Sequence, residues 1–106
     1  MSAFSQTLAD YGIVYRQQAY NPPIDILGAA EFVDIPETEG LNEYNIKRVS
    51  SGAHLYGKNL VTSEVFTLGS VPYTVTPDFL KRGYDLMATS GVNNFFYHGL
   101  SATYHG

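Results

Sequence analysis

The sequence predicts an α/β fold in which strands and helices alternate and the strands run parallel. Strand-like runs rich in β-branched and aromatic residues recur four times, at residues 13–18, 32–35, 60–67 and 92–97. The segments between them are long enough for the helical crossovers that parallel pairing requires. Four such units form either a small open sheet or half of an eight-stranded (β/α) barrel. Titratable side chains at several strand ends favour the barrel, because its active site lies at the carboxyl ends of the strands.

The first unit begins with a predicted helix at residues 2–10, and Gly12 separates it from the strand at residues 13–18. Asn-Pro-Pro at residues 21–23 then breaks the pattern. Residues 24–30 can form a short helix. This order is the first strand–helix repeat.

The second strand, residues 32–35, is predicted to end at Pro36, which leaves Pro-Glu-Thr-Glu-Gly at residues 36–40 as a loop. The longest helix is predicted at residues 41–56, followed by Gly57 in the left-handed position after a helix. Its apolar residues recur at spacings of three and four, which places them on one face: Ile46, Val49, Ala53 and Tyr56.

The third strand, residues 60–67, leads through an irregular loop to Thr-Pro-Asp at residues 76–78. This triplet offers a capping hydroxyl, a proline for the first helical position and an acid for the first turn. The following helix is predicted to end at Gly91, before the fourth strand at residues 92–97. One face of that helix carries Leu80, Tyr84 and Met87.

Composition limits the class of protein. The 106 residues allow one domain, and 44% hydrophobic with 15% charged residues is typical of a folded chain. A net charge of −4 with six Lys and Arg predicts no nucleic-acid binding. No apolar stretch reaches the ~20 residues of a membrane helix, and the first residues lack the pattern of a signal peptide, so localisation stays open. Without cysteine, thiolate chemistry is excluded.

Carboxylates at strand ends are the main candidates for chemistry. Glu64 follows an apolar run, and Glu37 and Glu39 follow the second strand. Glycoside hydrolysis requires two carboxyl groups, so Glu64 could fill one role and Glu37 or Glu39 the other. His98 ends the fourth strand, where an imidazole could contact a sugar hydroxyl or tune a neighbouring acid.

Calcium is the metal that the sequence favours. Asp34, Glu37 and Glu39 offer hard oxygen ligands, although their spacing is not that of an EF-hand loop. The three histidines do not share a local zinc-binding spacing. Among the aromatic residues, Tyr20 and Phe66 lie near strand ends and are candidates for stacking on a sugar ring.

Four segments resemble glycoside hydrolase family 106, which contains α-L-rhamnosidases. They are Asp-Ile-Pro-Glu at 34–37, Ala-His-Leu-Tyr-Gly-Lys at 53–58, Ser-Glu-Val-Phe-Thr at 63–67 and Gly-Val-Asn-Asn-Phe-Phe-Tyr-His-Gly at 91–99. The resemblance runs from about Gly12 to His98 and implies the last four strands of a catalytic barrel, so that residues 1–106 form a half-barrel domain. Members of the family are far longer and often periplasmic or secreted. Val-Pro-Tyr at 71–73 departs from the tryptophan-containing segment of the family.

The resemblance also implies roles for single residues. It implies inverting hydrolysis with a calcium ion that helps to hold the sugar, and Glu64 matches the general base. Glu37 or Glu39 resembles a carboxylate of the rhamnose and calcium site, and His98 resembles a substrate-contacting residue. Phe66, because it lies near a strand end, is also expected to contact substrate. The general acid is expected upstream of Met1.

These observations support three hypotheses. The first is a fragment or truncated homologue of a rhamnosidase, which binds a rhamnose-containing glycan and lacks its N-terminal half-barrel. The second is a non-catalytic half-barrel that binds sugar or assembles with another copy into a homodimer, which would cover its exposed strand edges. The third is a fragment of low stability, because half a barrel leaves an apolar face uncovered.

Overall fold

The computed structural model describes residues 3–18, 24–69 and 73–99. Four parallel strands pair in the order β1-β2-β3-β4, and helices precede and connect them. The strands are β1 Arg16–Gln18, β2 Ile35–Glu39, β3 Thr62–Val65 and β4 Asn94–Tyr97. The helices are α1 Ala3–Asp10, α2 Ile26–Ala29 with a 3-10 turn at Ala30–Phe32, α3 Glu43–Leu55 and α4 Pro77–Thr89. The predicted α/β fold with parallel strands is confirmed.

The strand order equals the order along the chain, so every crossover steps across the sheet in the same direction. Crossovers of one hand then place their helices on one face of the sheet and leave the other face open. This arrangement is that of consecutive units of a (β/α) barrel, and the fold is consistent with part of one. No helix in the described ranges is long and apolar enough to cross a membrane.

The hydrophobic core lies between the sheet and the long helices. Ile46 and Ala53 of α3 and Met87 of α4 are fully buried against Val61 and Val65, which flank and end β3. Val65 therefore points to the helices, and its strand neighbour Glu64 points to the open face. The apolar stripe predicted for α3 is confirmed for its first three members.

Local signals define the ends of the two long helices. The Asn42 side chain accepts from the amide of Asn45 at 3.1 Å, and that of Thr76 accepts from Phe79 at 3.2 Å. After α4, Gly91 adopts a φ of 102° while the amide of Val92 donates to the carbonyl of Met87. This is a Schellman motif, and Gly57 ends α3 in the same way. The predicted cap at Thr76 and the predicted helix-ending glycines, Gly57 and Gly91, are confirmed.

The second strand was predicted wrongly. It runs from Ile35 to Glu39, so Pro36 lies inside it, and Glu37 and Glu39 belong to a strand rather than to a loop. The amide of Ile35 donates towards β1, so the next amide position faces β3. Pairing with β3 begins only at Glu37, and Pro36 therefore interrupts no ladder hydrogen bond.

Other bounds differ by a few residues. The first strand is shorter than expected because Ile13 and Val14 are exposed and unpaired with β2. Tyr56 lies after α3 as its C-terminal cap and is partly exposed, so its predicted place on the buried stripe was wrong. The predicted break at residues 21–23, together with Tyr20, lies outside the described residues.

Candidate active site

The open face of the sheet carries the predicted site residues because of the strand register. Glu37 pairs with Thr62, and Glu39 pairs with Glu64, which in turn pairs with Phe96. Register partners in a parallel sheet point to the same face, and residues two apart on one strand share a face. Glu64 points away from the core, so all five side chains lie on the open face.

These side chains form two layers, each with one residue from β1, β2 and β3 and one from β4 or the position directly after it. The lower layer, nearer the amino ends of the strands, is defined as Arg16, Glu37, Thr62 and Phe96. The upper layer is defined as Gln18, Glu39, Glu64 and His98. Every upper-layer residue lies two positions beyond a lower-layer residue on the same chain segment, which is about 6.6 Å along a parallel strand.

The lower layer is closed by its own contacts. Glu37 is only 5% exposed, and its Oε2 atom lies 3.3 Å from the Arg16 Nε atom. The hydroxyl of Thr62 donates to the same oxygen at 2.6 Å. The Arg16 guanidinium carbon lies 4.1 Å from the centre of the Phe96 ring, in a cation–π contact. A buried charge needs such partners, and the Glu37 carboxylate has them.

The contact between Arg16 and Phe96 shows that the sheet is curved. These residues belong to the two outer strands, which would lie about 14 Å apart in a flat sheet at about 4.8 Å per strand. Their contact at 4.1 Å requires the open face to be concave. Phe96 lies four residues further along the ladder than Arg16, a stagger typical of the tilted strands of a barrel.

The upper layer is more open and more acidic. The Gln18 side-chain amide donates to the Glu39 carboxylate at 2.9 Å. Glu64 keeps 28% of its side chain exposed, and its Oε1 atom lies 3.8 Å from the His98 Nε2 atom. At that separation a protonated imidazole attracts the carboxylate without a direct hydrogen bond. The arrangement provides an accessible carboxylate beside an imidazole, which suits it to activate a water molecule.

Phe66 lies apart from the other predicted site residues. It follows β3 with a φ of 62°, a conformation that is unusual for a bulky residue. Its ring packs edge-to-face on Tyr84 of α4 at 5.0 Å between ring centres. Gly83 permits this approach, since a Cβ atom there would lie 2.9 Å from the ring. The structure brings Glu37, Glu39, Glu64 and His98 to the open face and places Phe66 against the helix.

The aromatic cluster around Phe66 contains one titrating group with a perturbed pKa. Tyr84 packs on Phe66 and Phe95, and its hydroxyl donates to the hydroxyl of Tyr97. Burial, together with the hydrogen bond and charge interaction with Tyr97, raises the pKa of Tyr84 from 10.0 to about 12. The cluster therefore keeps Tyr84 neutral and serves packing at the helix-covered face.

The metal prediction concerns two glutamates of β2. Glu37 and Glu39 share the open face, but the part of the chain that the structure describes contains no group of three acidic or histidine residues placed to hold a metal. Calcium takes six to eight oxygen ligands. Calcium binding by these two glutamates therefore stays a prediction, and no step of a reaction is assigned to the ion.

Sequence reasoning missed Arg16, Gln18, Thr62 and Phe96. A period of two was the available signal for two of them, since Thr62 lies two residues before Glu64 and Phe96 two residues before His98. Gln18 pairs with Glu37 in the sheet, and no local signal pointed to Arg16. Arg16 and Phe96 are 80 residues apart along the chain, so their contact depends on the curvature of the sheet.

Comparison with known proteins places this geometry in a family. The sequence model for the α-L-rhamnosidases of glycoside hydrolase family 106 matches residues 6–103. The structure of a rhamnosidase from Novosphingobium sp. PP1Y is similar to the chain with a TM-score of 0.75 and 25% identity, over 90% of this chain. The chain spans 10% of the length of that rhamnosidase. A search of curated proteins gave no match. The chain belongs to glycoside hydrolase family 106.

Proposed function

We propose that this chain supplies part of the active site of an inverting α-L-rhamnosidase, with Glu64 as the general base. The observation that carries the proposal is the position of Glu64, partly exposed on the concave face and 3.8 Å from His98. An inverting glycosidase needs one carboxylate to take a proton from water on the far side of the sugar ring. Glu64 meets the requirement of access, and it lies inside the segment that matches the family.

The other predicted residues take supporting roles in this proposal. Glu39 binds the sugar rather than Glu37, because Glu37 is already bonded to Arg16 and Thr62. His98 is 55% exposed and donates to a sugar hydroxyl or to Glu64. In this proposal calcium would be bound by Glu39, with Glu37 behind it.

The general acid comes from a segment other than the four strands described above. The carboxyl groups of an inverting enzyme stand about 6.5–9.5 Å apart to leave room for water. Glu39 and Glu64 are register partners on adjacent strands and lie side by side on one face, so this proposal places both on one side of the sugar and takes the acid from elsewhere. The chain alone therefore binds rhamnose without hydrolysing it.

A sugar-binding module is the second candidate function. It is favoured by one observation, the proximity of the four upper-layer residues within this chain. Gln18 contacts Glu39 at 2.9 Å, and Glu64 lies 3.8 Å from His98. Glu39 and Glu64 are register partners, which joins the two pairs. Such a half-site needs no further segment to bind a monosaccharide weakly.

Calorimetric titration of the folded 106-residue chain with L-rhamnose, with and without calcium, tests binding. We expect saturable binding that Glu64→Gln weakens and that Glu31→Gln, an exposed glutamate outside the sheet, leaves unchanged. Tighter binding with calcium would support the metal proposal. No binding by the folded chain would contradict the preformed half-site.

Hydrolysis of an aryl α-L-rhamnoside tests catalysis. The chain is assayed alone and after it is joined to the upstream half-barrel of a family rhamnosidase. We expect activity only in the joined protein, with a loss of about 10²–10⁴-fold in Glu64→Gln, the range for removal of a general base. Full activity in that variant would remove Glu64 from the mechanism.

A further inference from the structure

We propose that Arg16 is a positioning residue of this site, which clamps β1, β2 and β4 across the concave face and thereby sets the spacing of the upper layer. Arg16 is not among the residues that the sequence singled out. It takes no part in the chemistry proposed for Glu64, and it acts through Glu37 and Phe96.

The first support is the pairing of Arg16 with a buried charge. The Glu37 carboxylate is 5% exposed, whereas the Arg16 side chain is 42% exposed. Arg16 lies on β1 and contacts Glu37 on the neighbouring strand β2. A buried carboxylate without a cation is costly, so the ion pair holds Arg16 in one orientation. Thr62 donates to the same carboxylate oxygen and links β3 to the contact.

The second support is the cation–π contact with Phe96 at 4.1 Å. It joins the two outer strands, which share no backbone hydrogen bond. Backbone ladders fix the distance between neighbouring strands, but they leave the curvature of the sheet adjustable. A side-chain contact from β1 to β4 restricts that curvature directly.

The upper layer follows the lower layer because the two are linked by short stretches of strand. Gln18 lies two residues after Arg16, and His98 lies two residues after Phe96. When the sheet flattens, the distance between these two upper-layer residues grows, and Glu64 between them loses its position relative to His98. Arg16 thus controls the width of the sugar site from one layer below it.

Distance measurement between spin labels tests the clamp without any ligand. The sequence contains no cysteine, so labels at Gln17→Cys in β1 and Asn94→Cys in β4, both exposed, report the separation of the outer strands. We expect a longer and broader distance distribution in Arg16→Lys, which keeps the charge but loses the planar stacking group. Phe96→Leu should act likewise, and Phe96→Tyr should restore the original distribution.

Arg48→Lys is the matched control, because the Arg48 guanidinium lies 5.5 Å from the ring of Tyr44 on the exposed side of α3. It removes a cation–π contact of the same kind without touching the sheet. An unchanged distance distribution in both Arg16→Lys and Phe96→Leu would overturn the proposal.

The affinity for L-rhamnose gives a second readout, which rests on the proposed function. We expect Arg16→Lys and Phe96→Leu to weaken binding about tenfold, the equivalent of a cation–π contact of ordinary strength, while Phe96→Tyr and Arg48→Lys bind like the original chain. Unchanged affinity in the first two variants would overturn the positioning role. If the original chain binds no L-rhamnose, the preformed half-site of the proposed function fails, and the spin-label distances alone decide on the clamp.

Discussion

The two layers of the concave face are built from the same strands at positions two residues apart, yet they differ in charge and exposure. The lower layer pairs Arg16 with Glu37, which is 5% exposed, and has no net charge. The upper layer carries Glu39 and Glu64 beside one imidazole, and Glu64 is 28% exposed. The difference shows that a carboxylate on this sheet is structural when it is buried against a cation and a hydroxyl, as Glu37 is, and stays accessible when its partner leaves it partly exposed, as Glu64 is.

The largest expected difference is between matched substitutions on β1. Arg16→Met leaves the Glu37 carboxylate buried with Thr62 as its remaining partner, so we expect the free energy of unfolding to fall by about 2 kcal/mol. Gln18→Met, the same change two residues later, removes one partly buried hydrogen bond and should cost about 0.5 kcal/mol. Urea denaturation of both variants measures the difference. Equal losses would contradict the division into two layers.

A smaller difference is expected on β3. Thr62→Val preserves shape but removes the hydroxyl that donates to Glu37 at 2.6 Å, and we expect a loss of about 1.5 kcal/mol, the usual value for a hydrogen bond to a charged group. Glu64→Gln changes a partly exposed carboxylate and should alter stability by less than about 0.5 kcal/mol. Thermal melting of the two variants provides the comparison. A greater loss in Glu64→Gln would show that Glu64 has a structural role.

The smallest expected effect concerns the pKa of Tyr84, on the helix-covered face of the sheet. Because the pKa of Tyr84 is raised to about 12, the folded state keeps this tyrosine neutral. Its contribution to stability is fully present below pH 10.0 and is lost as the pH rises towards about 12. Tyr97→Phe removes the hydrogen bond and charge interaction with Tyr84, so the pKa of Tyr84 should fall.

Tyrosinate absorbance during an alkaline titration measures that pKa. Tyr44→Phe is the control, since Tyr44 is exposed on α3 and lies outside the aromatic cluster. A titration of Tyr84 that is identical in the Tyr97→Phe variant would rule out the coupling between the two hydroxyl groups.

Local signals predicted much of the fold. The first three residues of the α3 stripe, the Thr-Pro start of α4 and the glycines after both helices depend on neighbours within a few residues, and they lie where the sequence placed them. Tyr56, the fourth predicted member of the stripe, does not. The second strand was misplaced because Pro36 was expected to end it. Pro36 is tolerated inside the strand since pairing with β3 begins only at Glu37, and the local sequence does not contain that information.

The candidate site was predicted in its acids and histidine but not in its organisation. Glu64 and His98 were recognised separately, and their separation of 3.8 Å follows from the pairing of β3 with β4. The sequence did not distinguish Glu37 from Glu39 as the residue that faces a ligand. The distinction depends on the ion pair between Glu37 and Arg16, a residue of another strand. Contacts set by curvature and stagger were beyond any pattern in the sequence.

The stacking of Arg16 on Phe96 also limits how molecules reach the concave face. It lies across the face near the amino ends of the strands and leaves the carboxyl ends open. A molecule that approaches from the amino ends meets this contact before it reaches Glu39 or Glu64, so the upper layer is approached most directly from the carboxyl ends of the strands.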